Sequence, residues 1–308
     1  MVLDAHVLAR LGNPRRVLVA GCGGGYDVLG AVPIRHELVA GGIAVELASL
    51  SFAYLNGLDG AGQDRDIPNL YAVGGAAATE RAYCPEAWLA RWLGDDHVVW
   101  CFDKTGVRPL ARAYRALVDR LAIDAIVLVD GGIDAVLRGD ETSLGTPSED
   151  LASLAAATGL GIPVALACVG MTAELRDGIA HAQVLERFAE LARASAWLGA
   201  SALVAGTPAC DAYLRALTAV RAGQRAQKGS HVHDVISRAL DGEFGAVAPH
   251  VWLSPLATMY WWLDAREVAR THLFLDDLRA TDSIWEVAAR VEAARKQLAV
   301  RERAPIPI

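Results

Sequence analysis

The chain of 308 residues is 53% apolar and 21% charged, with a mean hydropathy of +0.27, so it can bury a large core and an intrinsically disordered chain is excluded. Its net charge of -7, from 36 acidic and 29 basic residues without a run of lysines or arginines, excludes a protein that tracks nucleic acid phosphates. Five cysteines, Cys22, Cys84, Cys101, Cys168 and Cys210, are scattered without a C-x-x-C pair, which suits neither a disulfide framework nor a zinc knuckle and points to a reduced, cytoplasmic setting.

Residues 1–16 carry Asp4, His6 and Arg10 before any long apolar run, unlike a signal peptide, so no export is expected. Apolar runs of strand length then recur at 17–20, 44–50, 70–73, 98–102, 125–129, 164–169, 201–205 and 251–253. Stretches with helical spacing lie between several of them, as at 107–121, 181–198 and 211–221. Seven or eight strands buried on both faces and alternating with helices predict an α/β fold, a doubly wound, mostly parallel Rossmann-like sheet with helices on both faces. No repeat or low-complexity linker divides 1–303, which reads as one domain. Residues 151–173 hold 23 positions without a formal charge, long enough for a membrane helix, but Gly159, Gly161 and Pro163 split them into helix, turn and strand. No membrane span is expected. Near the C-terminus Thr281 reads as a helix cap, and Ile284, Val287, Ala288, Val291 and Leu298 form one apolar face. That face packs on the body or on a partner subunit, and a homo-oligomer is expected. Residues 304–308, with two alternate prolines, read as a frayed tail.

The first strand runs into Gly21-Cys22-Gly23-Gly24-Gly25-Tyr26-Asp27 and then a helix. Glycines let backbone amides approach a ligand and a helix amino end favours negative charge, so this loop is a candidate phosphate or carboxylate cradle. Two cofactor patterns fit it incompletely. A dinucleotide fingerprint would place its third glycine at Tyr26, and both that pattern and the first motif of S-adenosylmethionine methyltransferases want an acid closing the second strand, where Ser49-Leu50-Ser51 stands. Cys22 sits in the loop without a base nearby in sequence except His36, and reads as an inert small residue rather than a nucleophile.

The fifth strand ends on Asp130, at the carboxyl edge where parallel sheets open their ligand crevice. Gly131, Gly132, Asp134, Arg138, Asp140 and Glu141 follow, and seven acids fall between Asp124 and Asp150. Burying so many carboxylates costs several kcal/mol each unless they are solvated, paired with arginine, or engaged with a metal or sugar hydroxyls. Thr146-Pro147-Ser148-Glu149 has the form of a capping box, so Glu149 and Asp150 read as helix-start residues.

Asp130-Gly131-Gly132-x-Asp134, then Arg138-Gly139-Asp140-Glu141 and Leu144-Gly145-Thr146-Pro147-x-Glu149-Asp150, together with Gly23-Gly24-Gly25-Tyr26-Asp27, resemble the prokaryotic family catalogued as domain of unknown function 1152. The resemblance covers most of the chain. It implies a Rossmann-like α/β body with the two glycine-bearing loops as its signature, and no activity. The run from Asp130 to Asp134 is also similar to the aspartate loop of nucleoside hydrolases, which implies carboxylates that hold calcium and ribose hydroxyls. Leu128 and Ala135 stand where that motif has further aspartates.

In the last third, Ser230 reads as the cap of a solvated helix bearing His231 and His233, which point to different faces and make a poor metal pair. His250 flanks the last predicted strand, and Met259-Tyr260-Trp261-Trp262-Leu263 reads as core or interface.

These features predict a small-molecule enzyme acting by hydrolysis or group transfer on a nucleoside, nucleotide or sugar-like metabolite. Gly21, Gly23, Gly24, Gly25, Tyr26 and Asp27, with Gly131, Gly132, Arg138 and Thr146, would bind the ligand. Asp130, Asp134, Asp140 and Glu141 would be catalytic, and Asp130 with Asp134 would hold a divalent cation. The alternatives are a Rossmann-type enzyme using NAD or S-adenosylmethionine, and a non-catalytic nucleotide sensor or scaffold.

Overall fold

A computed structural model describes residues 2–303. The strands are β1 (Arg16–Gly21), β2 (Ala44–Leu50), β3 (Ala61–Gln63), β4 (Leu70–Gly74), β5 (Val98–Phe102), β6 (Ala125–Asp130), β7 (Val164–Val169), β8 (Trp197–Ala202), β9 (Gly245–Ala248), β10 (Val251–Leu253) and β11 (Met259–Asp264). The helices are α1 (Ala5–Arg10), α2 (Asp27–Ala40), α3 (Pro85–Leu93), α4 (Val107–Leu121), α5 (Pro147–Thr158), α6 (His181–Arg193), α7 (Pro208–Gly223), α8 (His231–Leu240), α9 (Ala265–Thr271), α10 (Leu275–Leu278) and α11 (Ile284–Gln297).

Nine strands form one sheet in the order β3-β4-β5-β2-β1-β6-β7-β11-β8. The five central strands, β5 to β7 in that order, are parallel, and antiparallel strands close both flanks. Every residue of β6 and β7 is buried because helices cover both faces, which is why these segments read as unbroken apolar runs. Alternate residues of β1 divide the core: Val17 and Val19 pack with α2, α3 and α7, while Leu18 and Ala20 pack with α4 and α5. From β1 the chain builds outward through β2 and β5 on one side and through β6 and β7 on the other. The order therefore reverses between β1 and β6, the place where doubly wound sheets open a crevice.

The doubly wound sheet agrees with the sequence, with differences at its edges. Strand 251–253 leaves the main sheet and pairs antiparallel with β9 in a separate hairpin. Its place is taken by the aromatic segment β11, whose Tyr260 and Trp262 are buried in the core. Tyr260 Oη donates to Gly30 O at 2.8 Å and Trp262 Nε1 to Val2 O at 3.1 Å, so each buried polar tip is satisfied. The strand expected at 201–205 is displaced to Trp197–Ala202. Residues 151–173 form α5, a turn and β7, and no helix among the described residues is long and apolar enough to cross a membrane.

Two caps differ from expectation. Ser283, extended just before α11, accepts from Glu286 N at 3.2 Å, whereas Thr281 accepts from Val107 N at 3.0 Å and ties α4 to the C-terminal region. Thr146 makes no side-chain cap on α5, so the capping box is absent. Residues 304–308, the expected frayed tail, lie outside the described residues.

Candidate functional site

The glycine loop and the aspartate loop meet. Gly21 at the end of β1 pairs with Val129 of β6, and Cys22 N donates to Val129 O at 2.8 Å, so both chains enter their loops side by side. The glycines there make room for carboxylates. A Cβ on Gly131 would stand 2.5 Å from Asp27 Oδ1, and one on Gly23 would stand 2.5 Å from Asp150 Oδ1 and 2.9 Å from Asp27 Oδ2. The same holds at Gly132 against Glu174 Oε1, 2.6 Å, and at Gly145 against Asp134 Oδ2, 2.7 Å. No side chain fits at these distances without displacing the acid. Asp27, Asp130, Asp134, Asp150 and Glu174 thus converge at the β1–β6 switch point.

Backbone amides orient four of the five. Gly23 N donates to Asp27 Oδ2 at 2.7 Å, Ala135 N to Asp130 Oδ2 at 3.2 Å, Thr146 N to Asp134 Oδ2 at 2.9 Å, and Ile133 N to Glu174 Oε2 at 2.5 Å. Asp150 is the exception, since its Oδ1 is enclosed and has no hydrogen-bond partner among the described residues. No lysine or arginine among the described residues forms an ion pair with any of the five. Burial accordingly raises the carboxyl of Asp27 to about 7, against the pull of the Gly23 amide, and that of Asp134 to about 6. Burial, reinforced by Asp134 and the neighbouring acids, raises Asp130, Asp150 and Glu174 as well. A cleft of about 570 Å³ reaches two of them, Asp27 and Glu174. Asp27, Gly131, Thr146 and Glu174 line it together with Gly24, Gly25, Tyr26, Arg176, Lys228 and His231.

The structure sorts the residues expected from sequence. Gly24, Gly25, Tyr26, Asp27, Gly131 and Thr146 line the cleft, while Asp130, Asp134 and Gly132 are buried. A Cβ on Gly21 would meet Val28 N at 2.9 Å, and the Gly23 amide donates to Asp27 Oδ2 at 2.7 Å. Arg138, Asp140 and Glu141 belong to a different cluster. Arg138 and Arg301 both pair with Asp140, at 2.6 and 3.0 Å, and Glu141 accepts from Arg138 N and Gly139 N, each at 2.8 Å, and from Arg301 Nη2 at 3.2 Å. Their charges hold the C-terminal segment to this loop, and the structure gives Asp140 and Glu141 no place on the cleft. Asp27, Asp130 and Asp150 bring one carboxylate oxygen each within 4.8 Å of the others, while Asp134 accepts from Thr146 N at 2.9 Å.

Two acids escaped the sequence reading. Asp150 falls in the first turn of α5, where helix-start chemistry explains an acid equally well, yet it points inward at Gly23. Glu174 follows β7, the neighbour of β6, so its one signal was position at a third carboxyl edge. Cys22 is fully buried and its thiol is raised by burial and then by Asp150, which suits the inert reading. His233 is no solvated helix residue. It is buried, donates from Nε2 to Tyr26 O at 2.9 Å and accepts on Nδ1 from Tyr213 Oη at 2.7 Å, tying α7 and α8 to the glycine loop. His250 occupies the turn between β9 and β10 with a φ of 60°.

Fold and site together define a doubly wound α/β protein with an acidic, glycine-lined cleft at its switch point. The chain belongs to the family described as protein of unknown function (DUF1152), whose model matches residues 69–297. That span holds the aspartate loop, Asp150 and Glu174, and begins after the glycine loop. No curated protein matches the chain. A solved structure titled the crystal structure of the zinc inhibited form of teicoplanin deacetylase Orf2 is similar at 12% identity with a TM-score of 0.37, covering 80% of this chain and 97% of that one.

Proposed function

We propose that the chain is a small-molecule enzyme that carries out hydrolysis or group transfer on a hydroxyl-rich metabolite, a nucleoside, nucleotide or sugar-like compound, bound in the cleft above the carboxylates. The observation that carries this reading is the convergence of five acids at the switch point without an ion-pair partner among the described residues. Such an arrangement costs stability in every folded molecule. Perturbed carboxyls of this kind cluster where chemistry needs them. Asp27 and Glu174, which line the cleft, meet substrate hydroxyls, and Asp130 and Asp134 set the field behind them.

The dinucleotide alternative meets two obstacles. A pyrophosphate on the glycine loop would lie beside Asp27, and the loop amide of Gly23 is already taken. Strand β2 ends without a carboxylate offered to a ribose, since Glu86, buried beside it, accepts from Ser49 Oγ at 3.0 Å. The second obstacle applies equally to S-adenosylmethionine.

The test is a panel of nucleosides, nucleotides and chromogenic glycosides and esters, with products identified by mass spectrometry. Turnover by the native chain and its loss in Asp130→Asn, with an unchanged circular dichroism spectrum, are expected. Binding without turnover would favour a sensor, and a fully active Asp130→Asn would overturn the assignment.

A further inference from the structure

We infer that Asp27, Asp130 and Asp150 hold a divalent cation of the hard, oxygen-preferring class, Mg²⁺ or Mn²⁺, beside the cleft that Asp27 lines. This deepens the proposed function, but its test reads binding and stands apart from turnover.

Geometry is the first support. One carboxylate oxygen from each residue lies within 4.8 Å of the other two. Oxygens bound at about 2.1–2.4 Å to a common ion stand roughly 3–5 Å from one another, so the trio surrounds a space of the right size.

The second support is independent of that clustering. Asp150 is only 3% exposed, and its enclosed Oδ1 has no donor among the described residues. It is aimed at the position where Gly23 lacks a Cβ, 2.5 Å away, beside Asp27 Oδ2. An enclosed carboxylate oxygen with neither donor nor cation is among the most costly groups a core can hold. A cation beside it removes that cost.

The remaining contacts have the form that metal ligands require. Backbone amides fix Asp27 and Asp130 through Oδ2, at 2.7 and 3.2 Å, and the Gly131 amide and the Cys168 thiol give each a further hydrogen bond. Such bonds hold a ligand in orientation before the ion arrives. Gly23 and Gly131 are required because a methyl at either would push a ligand aside. An all-carboxylate set favours Mg²⁺ or Mn²⁺ over zinc, which prefers nitrogen and sulfur. The nearby thiol of Cys22 is committed as a donor to Asp150 O at 3.5 Å. Because Asp27 also lines the cleft, the ion's remaining positions face the substrate space, where a bound cation would polarise a substrate oxygen or a water.

The experiment uses the full chain stripped with chelator and titrated with Mn²⁺, free ion being read by electron paramagnetic resonance. One site per chain is expected. Asp150→Asn and Asp27→Asn should each weaken it at least about tenfold, the loss typical of disturbing even an outer partner of a metal ligand. Asp140→Asn, in the Arg301 cluster, should leave it unchanged. Asp27 is half-buried, so its variant serves if Asp150→Asn fails to fold. No binding at millimolar Mn²⁺ and Mg²⁺, tight binding of Zn²⁺ alone, or variants that bind as the native chain does would each overturn the assignment. Turnover that persists in chelator without Mn²⁺ binding refutes the cation and leaves the reaction standing. Mn²⁺ binding with no turnover on the panel upholds the cation and refutes the reaction.

Discussion

A single methyl group at Gly23 separates the carboxylate-room reading of the glycine loop from the phosphate-cradle reading. In Gly23→Ala the new Cβ would stand 2.5 and 2.8 Å from the two Asp150 oxygens and 2.9 Å from Asp27 Oδ2, all well inside van der Waals contact. Both acids must turn away, and the 2.7 Å bond from Gly23 N to Asp27 is stretched or lost. Overpacking of this kind costs about 1–3 kcal/mol. In a protein of this size that corresponds to a fall in Tm of roughly 1.5–5 °C. Displacing two of three ligands should also abolish the Mn²⁺-dependent rise in Tm, which for the native chain at 100 times Kd is worth about 2.7 kcal/mol. The assay is thermal unfolding by circular dichroism in chelator and in Mn²⁺. Gly229→Ala is the control, since no atom lies within 4 Å of its added Cβ. A Gly23→Ala protein that melts within about 1 °C of the native chain and keeps its Mn²⁺ response would refute the reasoning.

Two further outcomes follow from buried charge. Burial lowers His272 to about 3, below its value of roughly 6.5 in an unfolded chain, so the unfolded state binds the extra proton first as pH falls. The stability that neutral His272 supports is therefore full above pH 6.5 and is lost toward pH 3, with about 2 kcal/mol gone by pH 5. The difference in guanidinium midpoint between the native chain and His272→Asn should narrow by that amount between pH 7.5 and 5, and a constant difference would contradict the burial argument. Arg301→Ala would leave Glu141, 1% exposed, without its guanidinium partner and Asp140 with Arg138 alone. A loss of about 2–3 kcal/mol in urea unfolding is expected, toward the low end for a broken buried pair because Arg301 is partly exposed. An unchanged midpoint would argue that Asp140 and Glu141 do something other than anchor the C-terminal segment.

The architecture was readable in the sequence where one local signal sufficed. Strands β1, β6 and β7 stand out because burial on both faces demands unbroken apolar runs, and the turn at Gly159 to Pro163 marks its own break. The edge strand β3, three residues long, carries no such signal. Strand β11 was concealed because its aromatic residues suit a core of any kind, and only pairing between β7 and β8 makes them a strand.

The candidate site divides the same way. Asp130 at a strand end, followed by two glycines, was legible because chain direction and apolar run length fix where a parallel strand terminates. Gly23 was legible as a glycine that something must approach, but the sequence could not say that the approaching group belongs to the chain itself. Whether an acid lies in the cleft or in an ion pair depends on which distant residue meets it. Arg301 withdraws Asp140 and Glu141 into an anchor for the C-terminal segment, while the helix carrying Asp150 turns that carboxylate, which reads locally as a helix-start residue, onto Gly23. Sequence alone determined the central parallel strands, the two loops and their place at the carboxyl edge, since those follow from periodicity and chain direction. The tertiary structure decided which carboxylates share a site, because that depends on contacts more than a hundred residues apart and on whether a donor, a cation or nothing stands opposite each oxygen.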